Sequence, residues 1–135
     1  MRFCLIGAGF IGPVHAANIA AHPAAELVWV VDLNEKVAGE IAGKHGAKAT
    51  ARLDDALADR SVDAVVICTP PRTHAAIIDA AARAGKAIFC EKPVDLDIGK
   101  VEACGQTLKE TGVPFFVGFN RRFDPTHAAM RAAIA

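Results

Sequence analysis

The chain is 135 residues long and carries fifteen basic and fifteen acidic residues, a balance that gives no reason to expect a polyanion such as nucleic acid as partner. That length suits one domain with a real hydrophobic core and is short for a two-domain enzyme. No apolar run reaches the roughly eighteen residues of a membrane span, and the N-terminus reads as a core strand, so a soluble, cytoplasmic protein with no membrane partner is expected.

Arg2–Ile6 reads as the first strand, followed by a helix over residues 11–21 that tolerates Pro13 in its first turn. Further strands are expected at residues 27–31, 47–50, 64–68 and 87–90 and at Phe115–Gly118, and their near-continuous Val and Ile mark them as buried on both faces. Helices fill the intervals at residues 34–45, Leu53–Ala58, residues 73–84, Ile98–Thr111 and Pro125–Ile134. In the fifth helix Ile98, Val101, Cys104 and Leu108 recur at helical spacing as a core stripe, and Asp124 caps the sixth. Alternation of this kind predicts an α/β fold with a Rossmann-type, doubly wound parallel sheet in a single domain.

The most informative segment is Gly7-Ala8-Gly9-Phe10-Ile11-Gly12, between the first strand and the first helix. Gly7 permits the tight turn, Gly9 lets backbone approach a pyrophosphate, and Gly12 lets the helix pack close on the strand. The helix N-terminus adds free N–H donors for the anion. Asp32 ends the second strand twenty residues beyond Gly12, where a carboxylate accepts hydrogen bonds from the adenosine ribose hydroxyls of NAD. A 2′-phosphate there would face a like charge, at about 4 kcal/mol per unit pair for an effective dielectric near 20, so NAD is expected over NADP. The plainer reading of Asp32 is a cap for the helix that follows.

Three more polar segments stand at strand ends, where ligands bind in such sheets. They are Thr69-Pro70-Pro71-Arg72-Thr73-His74, Glu91-Lys92-Pro93, and Phe119-Asn120-Arg121-Arg122. The Lys92-Pro93 bond invites the cis form, because an X-Pro bond gives up only about 0.5 to 1 kcal/mol of trans preference. Cys4, Cys68, Cys90 and Cys104 lack any metal or redox spacing and read as reduced, buried thiols, with no metal expected.

Taken in order, Gly7-x-Gly9-x-x-Gly12 with His15, Thr69-Pro70 with Thr73-His74, Gly85-Lys86 leading to Glu91-Lys92-Pro93, and Val117 through Phe123 resemble the N-terminal half of one family. It is the glucose-fructose oxidoreductase / inositol dehydrogenase (Gfo/Idh/MocA) family, and the chain is most similar to its inositol 2-dehydrogenase branch. The resemblance implies an NAD-dependent oxidoreductase acting on a cyclic polyol or sugar. It implies cofactor contacts at Gly7, Gly9, Phe10, Ile11, Gly12, Asp32, Thr69, Pro70, His74, Glu91, Lys92 and Pro93, a catalytic role for Lys92, and substrate contacts at Asn120 and Arg122.

In that family the general base is a histidine paired with an aspartate in a following substrate domain, which this sequence does not contain. The expectation is therefore an NAD(P)-binding domain over residues 1–120, with residues 121–135 beginning the connection to a second domain. Such a half would bind NAD and not turn over alone; the alternative is a free-standing NAD-sensing or partner-binding module. Apolar Phe119, Phe123, Met130 and Ile134 would then be exposed, and self-association is expected.

Overall fold

A computed structural model describes residues 1–134. Its strands are β1 (Arg2–Ile6), β2 (Glu26–Val31), β3 (Lys48–Thr50), β4 (Ala64–Ile67), β5 (Ala87–Glu91) and β6 (Phe115–Gly118). All pair in parallel in one sheet of order β3-β2-β1-β4-β5-β6. The chain builds outward from β1 through β2 to β3, then crosses back to set β4 on the other side of β1. That reversal opens a crevice at the carboxyl ends of β1 and β4, and it positions the site.

The helices are α1 (Gly12–Ala21), α2 (Glu35–His45), α3 (Leu53–Ala58), α4 (His74–Arg83), α5 (Ile98–Thr111) and α6 (Pro125–Ile134). Side chains alternate across the pleat, so one sheet carries two cores. Leu5 and Val66 pack with Ala16 and Ile19 of α1 and Ile41 of α2. Cys4, Ile6, Val65 and Ile67 pack on the opposite face with Leu57 of α3, Ile78 of α4 and Cys104 of α5. At the amino end of the sheet the buried Lys86 donates from Nζ to the carbonyl oxygens of Asp59 and Val62, each at 2.9 Å, joining the start of β5 to the loop before β4. A buried ammonium is tolerated there because both contacts are charge-assisted hydrogen bonds.

The expected fold class is the observed one, and most boundaries agree to within a residue. Two expectations need correction. The buried line of α5 is Cys104 and Thr107, whereas Ile98 is 73% exposed. Ile98 opens its helix beside the Asp97 cap, whose side chain accepts from Gly99 and Lys100 N–H, so capping geometry and not burial fixes that end. Nor is every strand buried on both faces, because β3 and β6 are sheet edges and Phe116 is half-exposed on β6. The sequence reading also passed over two short 3₁₀ turns, at Pro71–Thr73 and Asn120–Phe123. Asp124 caps α6 as expected, accepting from the N–H groups of Thr126 and His127.

Candidate functional site

The glycine loop between β1 and α1 does three separate things. Gly7 has φ +99°, and a Cβ on it would come within 2.6 Å of the Cys68 carbonyl carbon at the end of β4. A Cβ on Gly12 would collide with the Gly7 carbonyl oxygen, so α1 starts as near to the turn as backbone allows. A Cβ on Gly9 would meet nothing within 4 Å, so that glycine faces open space, and it lines the larger of two cavities described below. The tight turn at Gly7 and the close packing at Gly12 are as the motif's spacing implied.

Asp32 fastens this loop to the next strand. One carboxylate oxygen accepts from Ala8 N–H at 2.7 Å and the other from Asn34 N–H at 2.8 Å. A carboxylate offers about four acceptor sites, so about half its capacity remains open. The helix-cap reading of Asp32 does not hold, because the cap of α2 is Asn34, whose side chain accepts from Val37 N–H. Asp32 is thus both a loop anchor, which the sequence reading missed, and a free acceptor at the crevice.

Two cavities share this edge. The larger, about 920 Å³, runs from Gly7 and Gly9 past Asp32 and Leu33 to Thr69 and Pro70, within the size range of ligand pockets. The smaller, about 280 Å³, brings together Thr69, His74, Glu91, Lys92 and Asn120. Phe10 and Ile11 line both. Of the residues expected at the site, Gly12 and Pro93 line neither, one lying beneath the loop and the other acting through its carbonyl, and Arg122 also lines neither.

Ring contacts hold the walls of the smaller cavity. His74 is buried, with Nδ1 2.7 Å from the Pro93 carbonyl oxygen and Nε2 2.7 Å from that of Thr69. It ties the loop after β4 to the loop after β5, and with both nitrogens engaged it is a brace and not an open proton acceptor. The Lys92-Pro93 bond is cis, as expected. Glu91 meets His15 of α1, Nε2 to Oε1 at 2.9 Å, and its other oxygen accepts from Lys92 N–H at 3.3 Å. The His15 ring packs on Phe89, with centroids 5.2 Å apart. Lys92 itself is exposed and its ammonium has no protein partner among the described residues.

All four thiols are free, with Cys4, Cys90 and Cys104 buried and Cys68 partly so. Burial pushes the Cys4, Cys68 and Cys90 thiols up to about 12, which keeps them protonated and inert near neutral pH. Among the described residues no group of His, Cys, Asp or Glu is placed to hold a metal, and no helix is long and apolar enough to cross a membrane. Cys68, Pro71 and the apolar Leu33, Leu53 and Ile77 also line the cavities. The sequence reading did not name them as site residues, because an apolar wall carries the same signature as core.

Residues 1–119 match the model of an oxidoreductase family described as having an NAD-binding Rossmann fold. The chain is 51% identical over 135 residues to an inositol 2-dehydrogenase of Rhizobium meliloti, covering 99% of itself and 40% of that protein. A crystal structure of a myo-inositol dehydrogenase from Corynebacterium glutamicum superposes with TM-score 0.89 at 44% identity, over 99% of this chain and 40% of that one. A scyllo-inositol dehydrogenase from Lactobacillus casei, solved with NAD(H) and scyllo-inositol, gives TM-score 0.92 at 29% identity over the same shares. The chain therefore spans about 40% of the length of the relatives it matches.

Proposed function

We propose, from the premise that the chain belongs to the Gfo/Idh/MocA oxidoreductase family as its NAD-binding Rossmann half, that it is the cofactor-holding part of a cyclic-polyol dehydrogenase. The residues fit NAD: Gly9 leaves space at a helix N-terminus, and Asp32 keeps acceptor capacity at the far side of the crevice. When bound, NAD supplies a hydride acceptor. In this reading residues 1–120 form the NAD domain and residues 121–135 begin the connection to a substrate domain.

The observation that carries the proposal is the smaller cavity, where Lys92 stands with Glu91, Thr69 and Asn120 against the glycine-loop residues Phe10 and Ile11. In this reading Lys92 donates a hydrogen bond to the substrate hydroxyl oxygen and stabilises negative charge as the hydroxyl proton departs. Asn120 orients a neighbouring hydroxyl, and Arg122 follows it on the same turn. The base that takes the proton comes from outside these residues, because His74, the histidine lining this cavity, has both ring nitrogens engaged. The polyol substrate is proposed from the inositol dehydrogenases to which the chain is similar.

Fusing this chain in place of the matching segment of the Rhizobium inositol 2-dehydrogenase tests the proposal. The chimera is expected to reduce NAD with inositol, and the isolated chain to show no turnover. Lys92→Met in the chimera should cut kcat by at least about a hundredfold, the usual range for a proton-transfer group. A folded chimera that binds NAD and oxidises no cyclic polyol would contradict it.

A further inference from the structure

We propose that Arg72 closes the adenine end of the cofactor site by stacking its guanidinium plane on the base, an inference that rests on the NAD reading above. The larger cavity crosses the end of β1, with one wall from the connection after β2 and the other from the connection after β4. Its charged lining residues are Asp32 on the first wall and Arg72 on the second, so Arg72 is the single cation among the described residues that face it.

The two cavities assign Arg72 to an end of the site. Thr69 lines both, but Arg72 and Ile77 line only the larger, as do Asp32, Leu33 and Leu53 on the opposite wall. Arg72 therefore belongs with the ribose-binding carboxylate and away from Lys92. Leu33 is 92% exposed, an apolar side chain at the rim that packing within the chain does not account for. A purine offers flat, weakly polar faces, and an apolar wall opposite a guanidinium matches them.

Arg72 is free to take this role. Its side chain makes no ion pair or hydrogen bond among the described residues, and of the arginines it alone lines the larger cavity. Its backbone is held in advance of any ligand. Two prolines precede it, Thr73 N–H donates to the Pro70 carbonyl at 2.9 Å, and the Thr73 hydroxyl donates to the same oxygen at 2.7 Å. A rigid turn that presents an unpaired guanidinium lowers the ordering cost of binding.

The test is titration of the folded chain and of Arg72→Ala and Arg72→Lys with NAD, ADP, adenosine and nicotinamide mononucleotide, followed by NMR shifts. Arg72→Ala is expected to weaken NAD, ADP and adenosine by the same roughly three- to thirtyfold factor, the size of a cation–π contact, and to leave nicotinamide mononucleotide unchanged. Arg72→Lys keeps the charge without the plane and should remain weaker than the parent for adenosine. Weakening of ADP with adenosine unaffected would make Arg72 a phosphate contact and overturn the proposal, as would unchanged binding of all four ligands. A parent chain that binds neither NAD nor adenosine would instead overturn the NAD reading, and this inference with it.

Discussion

Single residues at this site separate structural from functional roles, and glycines show it most clearly. Gly7 and Gly9 look equivalent in sequence, yet one is hemmed in by the end of β4 and the other faces open space. Gly7→Ala combines a positive φ with a backbone collision and should destabilise the fold by about 1–3 kcal/mol or more. Gly9→Ala should melt like the parent but bind NAD roughly tenfold more weakly, a change of about 1.4 kcal/mol. Paired melting curves and titrations check both; a Gly9→Ala protein with full affinity would leave the loop without its assigned ligand. The motif made the Gly7 turn and the Gly12 close approach legible, because each answers a backbone requirement that fixes residue type. The His74 brace was not legible, since nothing in one sequence says which carbonyls a buried imidazole will meet.

Elements were legible where one interaction dominated. β1, α3, α5, β6 and α6 follow from apolar period and caps, and their limits agree with the expected ones. The misassigned stripe of α5 arose because helical spacing identifies a face and not its reach: Ile98 sits on the period but in the capped first turn. Contacts between elements also predict acid behaviour. Asp59, in the turn after α3, accepts from Trp29 Nε1 on β2 at 2.9 Å and from Ser61 N–H at 2.8 Å, and Lys48 of β3 lies 3.7 Å away. Hydrogen bonds from Ser61 and Trp29, the largest influences, hold its carboxyl well below the usual carboxylate range. Because the folded value is the lower one, its stabilisation is present above the unfolded value near 3.9 and is lost as pH falls through the folded one. Denaturant melts followed by Trp29 fluorescence should therefore show stability dropping below about pH 4, with a shallower drop in Asp59→Asn. An identical pH slope in that variant would remove Asp59 from the explanation.

At the scale of the molecule, the parallel sheet places the polar strand-end segments on one edge, so residues 7, 32 and 69 line one cavity and residues 69, 92 and 120 its neighbour despite their separation in sequence. The segment that follows the edge strand β6 carries a different expectation. Phe119, Phe123, Met130 and Ile134, all in the stretch after β6, are each more than half exposed. An exposed apolar stretch that follows an edge strand favours association, so sedimentation should show a concentration-dependent dimer that Phe123→Ser with Met130→Ser abolishes. A single monomer species at all concentrations would contradict this.

The central claim is that the crevice at the β1–β4 reversal is an NAD site read by Asp32. Calorimetric titration of the folded chain with NAD and NADP, alongside Asp32→Asn, tests it most directly. NAD is expected to bind more tightly than NADP, and Asp32→Asn to weaken NAD by roughly ten- to a hundredfold, the value of a charge-assisted hydrogen bond, while narrowing the gap between the two cofactors. A folded chain that binds neither cofactor, or that prefers NADP, would contradict it.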